Sequence, residues 1–232
     1  MNTPAAVDTK RAAGLPRKGR IRQEHEAGIL RAAERVFARA GFSAATMNGI
    51  AQEAGLPKSN LHYYFRTKQA IYRAVLTNIL QLWLAPTEVI RDDRHPGDAL
   101  AHYIRAKMKL TAERPDASRV FANEVLHGAP EIGGYLRREL RALVRDKARV
   151  IDGWIARGWM RPLDPVHLFF TIWAATQTYA DFDAQVCAVL GRRQLTEADF
   201  ERATEHVVSL VLQGCGVMNG GPGALLAAGS PR

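Results

Sequence analysis

Residues Thr46–Lys68, TMNGIAQEAGLPKSNLHYYFRTK, decide the fold. They read as two short helices joined by a tight turn. The first, about Met47 to Ala54, sets Ile50, Ala51 and Ala54 to one side. Thr46 stands before it as a hydroxyl N-cap able to satisfy a free N–H of the first turn. Gly55 ends it, because the residue after a helix often needs a left-handed backbone that glycine alone enters cheaply. Leu56 faces the core, and Pro57 opens the second helix where a missing N–H costs nothing. That helix, about Lys58 to Tyr64, turns Leu61 and Phe65 inward.

The outer face left over suits DNA. A helix in the major groove needs short polar groups for base edges and hydroxyls or cations for phosphates. Ser59, Asn60, His62 and Tyr63 are expected at the bases. Thr46, Lys58, Tyr64 and Lys68 are expected at the phosphates, with Met47 beside them at the start of the first helix. An ordinary helical hairpin with one wet face would share this spacing. The pattern A-x-x-A-G-L/V-x-K/R-x-x-L/F-x-Y-Y-F-x-x-K-x-x-I/L, matched without a gap from Ala51 to Ile71, resembles the helix-turn-helix of TetR-family transcriptional regulators. Pro57 stands where that family often has Ser or Thr, and His62 where it often has Tyr.

Charge supports an anionic partner. The chain has 232 residues, 47% of them hydrophobic, and a formal net charge of +9. Residues 1–68 hold 12 Lys and Arg against 5 Asp and Glu, so +7 of that charge lies in the N-terminal third. Cys187 and Cys215 make no metal or redox spacing and suit a reducing cytosol. No apolar run approaches the ~20 residues that span a bilayer, so a cytoplasmic protein without membrane contact is expected. We find no zinc spacing among the seven histidines, no phosphate loop and no nucleophile–base pairing. Neither enzymatic activity nor a metal or cofactor is expected.

From Arg22 to Ala40 a stripe of Ile29, Leu30, Ala33, Val36 and Phe37 marks a first helix, stopped at Gly41. Residues 1–21, rich in Ala, Pro, Gly, Lys and Arg, read as a disordered basic arm, and residues 22–68 as a three-helix helix-turn-helix domain. Thr67 caps a long fourth helix running to about Arg91, which Pro86 is expected to kink or divide. Further helices are expected at Asp98–Glu113, Asp116–Leu126, Glu131–Arg157, Asp164–Leu190 and Thr196–Gln213. The fold class is all-α, with a larger helical ligand-binding and dimerisation domain over 69–215 and a disordered tail over 216–232. Dimerisation is expected through the last two helices, whose apolar Phe169, Leu190, Val207, Leu210 and Val211 exceed what one bundle face needs.

A second constellation lies within Asp164–Leu190. Trp173, Gln177 and Asp181 recur every four residues and share a face of a mostly apolar helix. A glutamine there must find partners, because an unpaired buried amide costs about 1–3 kcal/mol. A neighbouring carbonyl can supply one. A ligand can too, since an amide sets a donor beside an acceptor and so complements the N–H and C=O edge of a cyclic imide or lactam. Trp173 would then be a stacking wall. The spacing of Glu124 and His127 could hold a metal or acid–base pair, but a helical metal site needs further carboxylates. An enzyme acting on a nucleobase through Glu124, His127 and Asp181 is the competing class, and a helical protein adaptor a third.

Segments LWLAP (82–86), RPDASRVFANEVLHGAP (114–130) and IWAATQTYADF (172–182) resemble pyrimidine-utilisation regulators of the TetR family, within a similarity running from about Arg22 to Gln213. This resemblance implies a homodimer that holds double-stranded operator DNA and releases it on binding uracil. It implies a pocket of Trp83, Leu84, Glu124, Trp173, Gln177 and Asp181. A purine base or another pyrimidine catabolite is the alternative effector.

Overall fold

A computed structural model of the chain describes residues 17–217. Every regular element among them is helical. Two compact units meet in sequence between Val75 and Leu76.

The first unit contains α1 (Arg17–Ala44), α2 (Met47–Glu53), α3 (Lys58–Tyr64) and the opening turns of α4 (Lys68–Leu84). The boundary therefore falls inside α4 and not after Lys68. The reason is burial: Ile71, Tyr72 and Val75 all belong to the first core. The Tyr72 ring lies 4.9 Å from Phe37, edge-on, and 4.8 Å from Phe42. Helix α1 already begins at Arg17, so residues 17–21 of the expected arm are helical, while 1–16 lie outside the described residues. At Gly41 the backbone swings to φ 71, which kinks α1 before a last turn brings the chain to Thr46.

Glu53 fastens α2 to α1. Its carboxylate accepts from Arg35 Nε at 2.6 Å and from Arg39, and these guanidiniums hold its pKa below the usual carboxylate range. Thr46 Oγ accepts from the Gly49 N–H at 3.0 Å, the cap that its side chain suggested. Gly55 adopts φ 64. Pro57 sits one place before α3, and its carbonyl accepts from the Asn60 and Leu61 amides at 3.0 and 3.2 Å.

The second unit continues from α4 through a 3-10 turn (Ala85–Val89), so Pro86 ends the α-helix, its ring being unable to fit within one. There follow α5 (Pro96–Glu113), α6 (Pro115–Leu126), α7 (Gly133–Tyr135), a π-helical turn (Leu136–Leu140), α8 (Arg141–Ala156), α9 (Pro165–Asp181), α10 (Asp183–Leu190) and α11 (Glu197–Gly214). Helix α5 is central and packs on α9 and α11, while α9 also meets α6 and α8. Leu100, Tyr103, Ile104, Trp154, Phe169 and Ile172 form the heart of this core.

Three expectations are corrected. The helix over Asp164–Leu190 is two helices, broken at Phe182 (φ −121, ψ 34). Arg119 of α6 occupies the break, donating to the Ala180 carbonyl at 3.3 Å and to Asp183 at 2.7 Å. The tail does not begin at Gly216, because Val217 is buried and its N–H reaches the Leu212 carbonyl at 2.9 Å; residues 218–232 lie outside the described residues. Of the apolar residues expected at a dimer surface, Phe169, Val207 and Val211 are spent on the core of the unit itself. Leu190 and Leu210 remain exposed, joined by Phe170, Phe182 and Val189.

Among the described residues no helix is long and apolar enough to cross a membrane. A Cβ added at Gly55 would meet nothing within 4 Å, so Gly55→Ala carries only the cost of a left-handed backbone. We expect about 1–2 kcal/mol of destabilisation, read as a lower urea midpoint.

Candidate DNA-reading face and ligand cavity

Helix α3 buries Leu61 and holds Lys58, Ser59, Asn60, His62 and Tyr63 in solvent. Tyr63 is 72% exposed, unusual for a ring of its size, and lies 5.3 Å from Tyr64, edge-on. Tyr64 is half-buried and leans towards His25 of α1, ring centroids 6.5 Å apart. The Arg22 guanidinium stands 5.9 Å from the Tyr63 ring, which adds a cation to this face from within α1. Thr46 is exposed and Met47 half-buried at the start of α2.

Lys68 departs from the sequence reading. Its Nζ donates to the carbonyls of Phe42, Ser43 and Ala45 at 2.6, 3.0 and 2.8 Å, and lies 4.5 Å from the Phe42 ring centroid. An ammonium has three donors, and all three are engaged. Lys68 is a clamp on the turn between α1 and α2, where helix geometry leaves carbonyls without partners. The periodic pattern placed it at the mouth of α4 but could not show that the chain folds back over it.

In the second unit a narrow cavity of about 40 Å³ is lined by Leu80, Trp83, Leu84, Lys107, Phe121, Leu140, Trp173 and Gln177. Four of the six expected pocket residues meet here: Trp83, Leu84, Trp173 and Gln177. The indole N–H of Trp173 donates to Tyr103 Oη at 2.7 Å, which fixes the ring and leaves its face to the cavity. Burial pushes the Tyr103 hydroxyl up to about 12. Trp83 meets Phe121 edge-on at 4.9 Å. The Gln177 amide has no hydrogen-bond partner among the described residues.

Glu124 does not line the cavity. Its Oε1 accepts from the Glu131 and Ile132 amides at 2.6 and 3.2 Å, so this buried carboxylate ties the loop after α6. His127 is exposed, with Nδ1 2.7 Å from the Asn123 carbonyl, and finishes the helix. The two make no acid–base pair. Asp181 lies outside the cavity lining as well. Burial raises its pKa, against the pull of Ser118, Lys107 and Arg119. Asp181 Oδ1 and Ser118 Oγ are both buried outside hydrogen-bonding geometry, so the serine acts on the carboxyl from nearby without bonding to it.

The group that sequence reading missed is Lys107. It is 3% exposed, its Nζ stands 4.2 Å from the Trp83 ring centroid, and burial lowers its pKa to about 8 although Asp181 counters the shift. A signal existed. Leu100, Tyr103, Ile104, Met108 and Thr111 trace the buried stripe of α5, and Lys107 falls on it, three and four residues beyond Ile104 and Tyr103.

A helix-turn-helix with an exposed outer face on α3, and a helical domain with a small, mostly apolar cavity that Lys107 and Gln177 also line, define a ligand-responsive DNA-binding regulator. Residues 29–75 match the bacterial regulatory proteins of the tetR family, and residues 76–218 match the C-terminal region of YcdC-like protein. The chain is 44% identical to the HTH-type transcriptional regulator RutR of Escherichia coli K12 over 186 residues, 80% of this chain and 88% of that protein. Its fold matches a putative transcriptional regulator from Streptomyces coelicolor with TM-score 0.64 at 25% identity, covering 82% of this chain and 97% of the other. It also matches the ketosteroid transcriptional regulator KstR2 of Mycobacterium tuberculosis with TM-score 0.65 at 20% identity, covering 82% and 93%. The protein belongs to the TetR family of transcriptional regulators and is not an enzyme.

Two substitutions separate the roles on the DNA side. Asn60→Ala should relax sequence preference at one position, at about 1–3 kcal/mol for a good base contact. Lys68→Met should lower the urea midpoint, by about 2–3 kcal/mol of stability for lost bonds to a charged donor, and leave the salt slope of DNA binding unchanged. A slope lower by one phosphate contact would return Lys68 to the DNA face.

Proposed function

We propose that the cavity binds uracil or a closely related base, and that the bound base weakens the hold on operator DNA. The observation that carries this reading is the Gln177 amide, unpaired among the described residues, at a cavity walled by Trp83 and Trp173. Its donor and acceptor match the C=O and N–H of a ring imide, and the indoles offer flat apolar faces to the ring. The similarity to RutR over most of both chains supports the same assignment.

The size of the cavity bears on the response. About 40 Å³ holds only ~three waters, so a ring must part the walls to enter. Leu80, Trp83 and Leu84, three of those wall residues, lie on α4, whose opening turns belong to the DNA-binding unit. A ligand that displaces α4 biases the one helix that runs into both units. Linkage then requires operator DNA to weaken ligand binding by the same factor.

Gln177→Leu keeps the bulk and removes both polar groups. Uracil affinity should fall about tenfold or more in isothermal titration, from ~1–3 kcal/mol per polar group left unpaired, and uracil should no longer release the DNA. Operator affinity without uracil should stay as in wild type. Uracil binding unchanged in the variant, or xanthine bound in preference to uracil by wild type, would overturn the assignment.

We further propose a homodimer through α9, α10 and α11, supported by the exposed Phe182, Val189, Leu190 and Leu210. Each protomer would then present one α3 to one half-site, with centres about 34–36 Å apart or a multiple of it. The double substitution Val189→Glu, Leu210→Glu should shift sedimentation to a monomer and reduce operator affinity. A double variant that stays dimeric would place the interface elsewhere.

A further inference from the structure

Lys107 is a charged side chain inside the core of the second unit, and nothing in the fold requires it. It is 3% exposed, on the buried face of α5, and its ammonium has no hydrogen-bond acceptor among the described residues. Its neighbours are the Trp83 ring, 4.2 Å away, and the charge of Asp181, and it lines the same small cavity as Gln177. Buried charge without hydrogen bonds is costly, and an apolar side chain of this shape would serve packing better. An ammonium with donors to spare, facing a cavity, suits an acceptor that arrives with a ligand.

A single amide reads two adjacent ring groups, one C=O and one N–H, and a lactam satisfies it as well as an imide does. An imide differs in carrying a second C=O on the far side of the N–H. We propose that Lys107 reads this second oxygen, so that Gln177 and Lys107 together select cyclic imides over lactams. The inference rests on the base-binding reading above and deepens it. Three ring groups in a row, acceptor, donor, acceptor, face a donor and an acceptor from Gln177 and a further donor from Lys107. Asp181 acts as a positioning residue: its charge favours the protonated amine that must donate, against a burial that disfavours it. Where the ring lacks the second oxygen, the ammonium stays without a partner, and that ligand forfeits a charge-assisted hydrogen bond.

The test is a two-by-two titration. Wild type and Lys107→Met are each titrated with uracil, an imide, and with 4(3H)-pyrimidinone, which keeps the C=O next to the N–H and lacks the second oxygen. Wild type should prefer uracil by roughly tenfold to a hundredfold, the worth of one hydrogen bond from a charged donor. Lys107→Met should bring uracil down to the level of pyrimidinone and leave pyrimidinone nearly as it was. Without ligand, the variant should melt no lower than wild type, because Met fills the same space without a buried charge; a second variant, Lys107→Gln, keeps uncharged N–H donors and should restore part of the preference. Equal loss for both ligands, or a preference for uracil that survives in Lys107→Met, overturns the role of Lys107 while the base-binding reading stands. If wild type binds neither ring, the base-binding reading fails and this inference falls with it.

Discussion

A buried ammonium, Lys107, and a half-buried amide, Gln177, at one small apolar cavity set the terms for the second unit. Burial of the Lys107 ammonium works against folding, and the surrounding helices must supply the difference. They do so through α5, whose Leu100, Tyr103, Ile104 and Met108 pack on α9 and α11. Tyr103 then does a second job, anchoring the Trp173 indole by its N–H so that the ring face stays turned to the cavity. The cost is local and the support lies along the rest of α5, which is the arrangement expected where a site is built into a core.

The first unit meets a different constraint. Two of its helices, α2 and α3, have only seven residues each, too short to persist in water without tertiary support. Side-chain ties therefore carry much of its definition. Glu53 fastens α2 to α1, Lys68 gathers three carbonyls of the preceding turn, and Phe37, Phe42 and Tyr72 close the core behind them. None of these ties draws on the exposed face of α3. Ser59, Asn60 and His62 stay in solvent there.

Lys68, Glu124 and Asp181 show one limit of helical spacing. They were placed by the pattern on the correct helices, yet the backbone amides and carbonyls they answer to come from elsewhere in the chain, or, for Asp181, from no bond at all. Helical spacing gives the direction of a side chain around its own axis. It contains nothing about a turn 26 residues away, as for Lys68 and Phe42, or about a break such as that at Phe182, where Arg119 of another helix takes the freed carbonyl. The same limit hid which apolar residues stay exposed, since Phe169 and Leu190 look equally apolar in sequence and only packing tells that one is core and the other exposed.

What the sequence determined by itself was the local chemistry. Thr46 before a short helix, Gly55 after it and Leu61 with Phe65 inside the next are demands of capping, backbone sterics and 3.6-residue periodicity, and they hold whatever surrounds them. The all-α class and the outward face of α3 follow from the same rules, and the run of Trp173, Gln177 and Asp181 along one face of α9 does too. The tertiary structure decided which of those groups meet. It brought Lys107 of α5 to Trp83 of α4 and Gln177 of α9, three residues far apart along the chain, and it turned Glu124 and Lys68 to structural work. Such meetings depend on how helices cross and how loops return, which are set by the packing of the whole core and not by any one segment's spacing.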